Sequence, residues 1–554
     1  MKEFSFRTRE RSLQRFQDEV FDVLIIGGGI TGAAVARDAS SRGLKVALVE
    51  RMDFAFGTSS RSSKLIHGGL RYLQNLEFGL VFEALSERSH LLKTAPHMVK
   101  PLPFYFPVYR GDSHGRILMS FGLWLYDLLA LFRAPGLHKG LSRKQFLEEV
   151  PFLKTEGLRG GFRFYDASMW DDVLVIETLK AAQEEGAVVA NYIEASEPVW
   201  DGEQIIGFKV KGLSGNGLKY EKECVLRAHH TIVCAGPWAD QVGAKLSKTW
   251  KRWLTPSKGV HLVFDLKRIP LPGAFVMSHP KDGRVAFVIP RTDLGDGVVI
   301  VGTTDGPTQE DLDQVQVSTL EVEYLMELLN QYFPTLQLTP SDILSSYVGI
   351  RPLMGGSADE ATVLQKVSRE HHIDQGPGGT GIVAGGKYTT HRTMAREVVD
   401  FGLKFWKKDS REIGRSQTDT PVNPQVTVEA IQKIKSLASD RGLEIPEKLL
   451  GRYGGDALSL MEMDSDSEND PAGFPYLKAQ LRYSIRSEMV LFLEDFYLRR
   501  VPLYATRKDH GLPWANALAE VWAEEQGLSH LEVQAEVDRL QAELAKRSQI
   551  SFVK

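Results

Sequence analysis

Residues 22–50, DVLIIGGGITGAAVARDASSRGLKVALVE, decide the fold. After Asp22 the run Val23-Leu24-Ile25-Ile26 is continuously apolar and stops at Gly27-Gly28-Gly29, as a buried strand entering a tight turn does. Ala33, Ala34, Val35 and Ala36 then begin a helical pattern that Gly43 closes. Val46-Ala47-Leu48-Val49 forms a second strand with Glu50 at its end. The unit is strand, helix, strand. Gly27-x-Gly29-x-x-Gly32 sits where such a unit holds a dinucleotide. The first glycine permits the turn, the second lets backbone approach a pyrophosphate, and the third lets the helix pack closely on the strand. The helix N-terminus offers N–H groups and a positive dipole to that anion, and Glu50 is placed to accept from ribose hydroxyls.

Working outward, 57–63 is a loop of small polar residues whose hydroxyls, Thr58, Ser59, Ser62 and Ser63 among them, suit a pyrophosphate and a sugar-like chain. Residues 172–185 carry helical periodicity and precede the strand-like run 187–190. The run 231–234 is a buried strand that enters a tight loop at Ala235-Gly236-Pro237-Trp238, and 258–305 is rich in strands separated by Asp-Gly and Gly turns. Six glycines fall within 376–387, ahead of a helical stretch over 389–399. From about residue 405 helices joined by polar segments take over, and 463–471 (MDSDSENDP) is the most linker-like stretch. Ser529 and Glu532 make a capping box for a helix with Val533, Val537, Leu540 and Leu544 on one stripe.

Composition sets the class. At 554 residues the chain predicts two to four domains at ~100–200 residues each. With 43% hydrophobic and 25% charged residues it matches soluble globular proteins, which excludes disordered and fibrous readings. A net charge of −4 leaves no basic footprint for nucleic acid, so any anion site must be built locally. Cys224 and Cys234 are the only cysteines, and the adjacent pairs His229-His230 and His371-His372 lack ligand spacing, so neither a disulfide framework nor a metal site is expected. The N-terminus lacks the pattern of a secretory signal, and no stretch reaches the ~18–20 apolar residues of a spanning helix. A cytoplasmic protein is the expectation. Residues 1–18, rich in arginine, read as a polar arm with a solvated face. The apolar run 117–132, interrupted by Asp127, reads either as a buried core helix or as a segment dipping into a membrane surface.

Three separated motifs carry a resemblance. Thr58 to Tyr72 (TSSRSSKLIHGGLRY), Gly349-Ile350-Arg351-Pro352-Leu353 and Gly385-Gly386-Lys387-Tyr388-Thr389-Thr390 resemble FAD-dependent glycerol-3-phosphate dehydrogenases, within the wider D-amino-acid-oxidase-like flavoproteins. The likeness spans roughly residues 20–400. It implies an α/β fold with a Rossmann-type FAD-binding domain (18–95, 166–250 and 345–404), a β-rich substrate domain (96–165 and 251–344) and a C-terminal all-helical domain (405–554).

The resemblance also implies FAD as the cofactor, sn-glycerol 3-phosphate as the substrate, a membrane quinone as electron acceptor, and peripheral attachment to the inner face of the cell membrane. With no cysteine in the flavin-proximal motifs, the FAD is expected to be non-covalent. Gly27, Gly29, Gly32, Glu50, Thr58, Ser59, Ser62, Ser63, His67, Ala235, Gly236, Gly386, Lys387 and Thr389 are the candidate cofactor residues. A substrate phosphate carries about two negative charges and calls for Arg forks and Lys point charges. Arg71, Arg351, Arg369 and Lys387, with Tyr72, are the candidates. His261 resembles the position facing the flavin and is the candidate base, with Arg351 and Lys387 as its catalytic company. Competing readings are an oxidase passing electrons to oxygen, an FAD amine or amino-acid oxidase, and a flavin module without catalysis. A homo-oligomeric assembly is left open.

Overall fold

The structure is a computed structural model that describes residues 3–112, 115–212, 223–355, 371–405, 413–463 and 470–551. Two sheets organise it. In the first, Val20–Ile26 lies parallel to Val46–Val49 on one side and to Cys224–Val233 on the other. Val188–Ala190 and Gly381–Gly385 extend the parallel set, and the hairpin Ile193–Asp201/Gln204–Gly212 and strand His371–Gln375 complete eight strands. Both faces of a parallel sheet are covered, so its strands read as unbroken apolar runs, and Val46–Val49 is buried at every position. Helices Ile30–Ser41, Asp171–Glu184 and His391–Phe405 pack on it. Ile26, Val49 and Val233 share one register line, so Gly27, Glu50 and Cys234 emerge together at the carboxyl edge. Ligands of open α/β sheets sit at such an edge.

The second sheet has ten strands. Leu254–Asp265 is its centre, paired antiparallel with Val298–Gly302 on one edge and with Ile343–Met354 on the other. Val260, Leu262 and Phe264 point into a core closed by helix Thr319–Tyr332 through Leu325, Leu328 and Leu329.

Two stretches differ from the sequence reading. Residues 3–18 are not a solvated arm, since Phe6–Asp18 is a helix capped by Ser5 and Thr8. Phe4 and Phe16 are buried, and Arg9 is buried with its Nε donating to the Asn191 carbonyl at 2.8 Å. The arginine run hid a helix whose aromatic positions face the domain. Helix Arg116–Leu129 buries Met119, Leu123 and Tyr126 but leaves Ile117 (89%), Phe121 (67%) and Trp124 (55%) exposed, so the buried-core reading fails for its outer face. Asp127, the interruption in that run, turns inward and accepts from the backbone N–H of His138 at 3.2 Å.

The C-terminal helices include His530–Ser548, whose Ser529/Glu532 capping box forms and whose Val537, Leu540 and Leu544 are core. They are tied to the first sheet through Asp53, which ion-pairs with Arg499 and Arg500. All three are buried, as are Asp495, which pairs with Arg499, and Glu488, which pairs with Arg452. Burial raises the Asp53 pKa and its two arginines outweigh it, so the carboxyl stays ionised. Replacing a buried ion pair by apolar residues is often neutral, but removing one partner strands the other. Asp53→Ala is expected to lower stability by about 3–5 kcal/mol, read as a fall in the urea midpoint. A midpoint equal to wild type would mean the cluster is dispensable.

Candidate functional site

The glycine turn separates into glycines that packing demands and one that it does not. A Cβ at Gly27, where φ is +116°, would stand 2.5 Å from the Cys234 carbonyl oxygen, and one at Gly32 would stand 1.9 Å from the Gly27 carbonyl oxygen. Gly29 has an ordinary φ of −79°, and a Cβ there meets only Ser59 Oγ, at 3.1 Å. Its lack of a side chain serves nothing in the protein and leaves a cradle at the start of helix Ile30–Ser41, which suits a pyrophosphate. Ser59 Oγ accepts from the Ile30 N–H at 3.0 Å and keeps its own hydrogen to donate. Glu50 Oε2 accepts from the Gly28 N–H at 2.7 Å and Oε1 from the Met52 N–H at 2.8 Å, which fixes the carboxylate while further lone pairs remain for a ribose. Gly236, at φ +52°, has no atom within 4 Å of its notional Cβ, so backbone at Ala235-Gly236 lies open to a ligand.

The other chosen hydroxyls turn toward protein. Thr58 Oγ1 donates to the Ile350 carbonyl, and Ser62 Oγ donates to Asp171 Oδ2 at 2.7 Å. Ser63 Oγ lies 2.8 Å from His261 Nε2. The Thr58 and Ser63 bonds join the loop 57–63 to the ladder between Leu254–Asp265 and Ile343–Met354. There His261 stands opposite Tyr347 and Ser257 opposite Arg351. Side chains alternate along a strand, so Ser257, Gly259 and His261 share one face with Tyr347, Gly349 and Arg351.

His261 is 3% exposed and stacks on Tyr347 with ring centroids 4.7 Å apart at 13°. Tyr347 anchors the stack by donating its hydroxyl to the Ser62 carbonyl at 2.9 Å. Nδ1 of His261 is enclosed with no hydrogen-bond partner among the described residues. Burial, then Arg351 and Lys64, bring its pKa down to about 3, so the imidazole is neutral at working pH. Lys64 pairs with the buried Asp171, whose backbone carbonyl accepts from the Tyr388 hydroxyl. That contact brings up the loop carrying Lys387, whose Nζ lies 3.6 Å from the centroid of the Tyr72 ring. Gly385 and Gly386 take φ of +74° and +91° to make this turn before Thr389 and helix His391–Phe405.

His67 lies across from Phe287, with centroids 6.2 Å apart. The Gly68 N–H beside it donates to the Tyr126 hydroxyl at 2.9 Å, and that hydroxyl reaches Asp166, the ion-pair partner of buried Arg88. Arg369 lies outside the described residues, as does the side chain of Arg71, whose backbone falls in the turn Leu70–Asn75. Sequence reasoning missed Tyr347, Asp171 and Asp305. Tyr347 and Asp171 bond to residues more than a hundred positions away, Asp305 bonds to Arg351 from the segment between two strands, and no local pattern marks any of them.

Residues 22–392 match the FAD dependent oxidoreductase family, and residues 424–533 match the C-terminal domain of alpha-glycerophosphate oxidase. The chain belongs to the FAD-dependent oxidoreductase family. An aerobic glycerol-3-phosphate dehydrogenase of Staphylococcus saprophyticus is 35% identical over 544 residues, and one of Staphylococcus aureus is 34% identical over 548 residues, each alignment covering 96% of both chains. Among solved structures, the glycerol-3-phosphate dehydrogenase from Bacillus halodurans complexed with FAD superposes with a TM-score of 0.78 at 28% identity, covering 99% of both chains. This flavoenzyme thus sits among the aerobic glycerol-3-phosphate dehydrogenases. The cradle at Gly29, the fixed Glu50 and the open backbone at Gly236 fit the FAD that the family uses.

A side chain at Gly29 occupies the approach to the pyrophosphate without breaking a protein contact other than that with Ser59. Gly29→Val is therefore expected to yield folded, colourless protein. Full flavin occupancy in that variant, measured by absorbance after gel filtration, would remove Gly29 from the cofactor site.

Proposed function

We propose that this enzyme oxidises sn-glycerol 3-phosphate to dihydroxyacetone phosphate and passes the electrons to a membrane quinone. The observation that carries this reading is the shared strand face on which His261 and Arg351 stand, joined to the cofactor loop through Ser62 and Ser63. FAD, held at the Gly29 cradle and by Glu50, would supply the acceptor for the hydride of the substrate's C2–H bond, and the chain's own residues would take the proton of the C2 hydroxyl.

The chain's own residues do the rest. Arg351 and Lys387, with Arg71 and Arg369, receive the phosphate, and Tyr72 borders Lys387. His261, neutral because burial and two cations hold its pKa near 3, accepts the hydroxyl proton. FAD is held without a covalent bond. Cys234 stands beside the glycine turn, its thiol pushed up by burial, and is not at the substrate face. Residues 18–95, 166–250 and 345–404 form the cofactor part, 96–165 and 251–344 the substrate part, and 405–554 the helical part. Strand Ile343–Met354 is the seam where the first two meet. The multiple cations disfavour an amino-acid substrate.

The acceptor has a second reading, because residues 424–533 match the C-terminal domain of an oxidase. The apolar outer face of Arg116–Leu129 favours the quinone. No helix among the described residues is long and apolar enough to cross a membrane. Ile117, Leu118, Phe121, Trp124 and Leu128 instead form a side that suits lying in a membrane interface, on the cytoplasmic side of the cell membrane. Phe121→Ser with Trp124→Ser is expected to abolish sedimentation with anionic vesicles while leaving flavin content unchanged; undiminished sedimentation would rule this face out.

Anaerobic mixing tests the chemistry. Glycerol 3-phosphate is expected to bleach the flavin, amino acids to leave it unchanged, and a soluble quinone to restore the colour faster than oxygen does. Arg351→Ala should stay yellow and lose turnover. Because His261 is already neutral, the wild-type reduction rate should be flat from about pH 5 to 8. General-base help is typically worth ~10²–10⁴-fold, so His261→Gln should slow reduction at least ~100-fold. A His261→Gln enzyme reducing at the wild-type rate would give the proton to another acceptor.

A further inference from the structure

Arg351 does not hang freely from its strand, because the segment 303–305, between strands Val298–Gly302 and Gly306–Pro307, wraps its guanidinium. Nη1 donates to Asp305 Oδ1 at 3.1 Å and Nη2 to Thr303 Oγ1 at 3.0 Å. The Thr304 carbonyl lies 3.4 Å from both nitrogens, and Asp305 Oδ1 accepts in addition from Ser257 Oγ at 2.6 Å. Beneath lies Gly259, where a Cβ would stand 2.8 Å from Nη2 and 2.5 Å from Thr303 Oγ1, so the glycine is the seat on which the fork rests. With these contacts made, 21% of the arginine side chain is still exposed, against 16% of Asp305.

An arginine has many rotamers, and fixing one on binding subtracts from affinity unless the protein has fixed it beforehand. A planar guanidinium held at two nitrogens by acceptors in its own plane is fixed in this way. We propose that Asp305 and Thr303 are positioning residues, which hold Arg351 in its phosphate-receiving orientation before substrate arrives. The inference rests on the assignment of Arg351 to the substrate phosphate made under Proposed function. A carboxylate this near an incoming dianion also repels it, so two effects oppose. The repulsion acts across the guanidinium and in partly open surroundings, where charges are screened. The ordering effect acts on the arginine directly and is the larger.

The sign of one measurement separates them. In FAD-loaded enzyme, the dissociation constant of inorganic phosphate is read from the perturbed flavin spectrum, alongside KM and kcat for glycerol 3-phosphate. Asp305→Asn and the charge-neutral Thr303→Val are each expected to raise the phosphate dissociation constant and KM about three- to tenfold, the factor for one side chain that must be ordered on binding. The loss should fall on KM more than on kcat, and Asp305→Glu should recover part of it. Tighter phosphate binding in Asp305→Asn, or unchanged phosphate binding and KM in Thr303→Val, would overturn the proposal. Arg351→Ala is run beside them: if it binds phosphate like wild type, the assignment of Arg351 fails and the positioning role falls with it. If only the positioning variants behave like wild type, the assignment stands and the positioning role alone is lost.

Discussion

The face that carries His261 and Arg351 depends on the register between Leu254–Asp265 and Ile343–Met354. The pairing is continuous from Leu254 opposite Met354 to Val263 opposite Ser345 and shifts only at Phe264. A slip of one residue would send every side chain of one strand to the opposite face, parting His261 from Tyr347 and Arg351 from its seat over Gly259. Two features prevent it. Val260, Leu262 and Phe264 must stay in the core under helix Thr319–Tyr332, and the central strand is bonded on its other edge to Val298–Gly302, with His261 opposite Gly302. The core residues at even positions therefore fix the functional residues at odd ones.

That ladder meets the parallel sheet through a few side-chain bonds to carbonyls and one imidazole. Thr58 to Ile350, Tyr347 to Ser62 and Ser63 to His261 bind the loop 57–63 to the two paired strands. The consequence is electrostatic as well as geometric. A chain of net charge −4 places Arg351 and Lys64 near one buried imidazole, and burial with those cations keeps it neutral. Asp305 and Asp171 each hold one of the two cations in place, so the arrangement is built from ion pairs that leave part of Arg351 exposed.

How much of this the sequence made legible follows from the range of each interaction. The glycine turn, its strands and Glu50 are readable because strand, turn, helix and carboxylate fall within thirty residues, although the contact that Gly27 answers to, the Cys234 carbonyl, is remote in the chain. The capping box at Ser529 was readable for the same reason. His261, Arg351 and Lys387 stood out only through resemblance, since a histidine in a strand and an arginine after a glycine have ordinary structural uses. Asp305 and Tyr347 carry no signal, because what makes them matter is a side chain on a neighbouring strand, Arg351 for Asp305 and His261 for Tyr347. Helix Phe6–Asp18 was misread because its charges outnumber the two aromatic residues, Phe6 and Phe16, that it carries, though Phe16 is fully buried. In Arg116–Leu129 hydrophobicity was plain, but which side faced the protein was settled by Tyr126 reaching Asp166 and Asp127 reaching His138.

The C-terminal helices belong in the same chain of causes. Asp53 lies three residues beyond Glu50, and the backbone between them is bonded to the segment after strand Val188–Ala190: Tyr192 N–H to the Met52 carbonyl at 2.9 Å, and Ile193 N–H to the Glu50 carbonyl at 2.7 Å. Asn191 in that segment donates to Asp53 and to the Met489 carbonyl, and Tyr192 donates to Asp495 at 2.6 Å. Arg499 and Arg500 close the cluster from the helical side. The position of the Glu50 carboxylate is thus set from two directions, by the strand ending at Val49 and by arginines more than four hundred residues away. Buried ion clusters add little net stability compared with apolar packing, but they tolerate few alternative geometries. The helical part accordingly acts as a brace on the loop that follows the second strand, which ties the position of Glu50 to arginines far away in the chain.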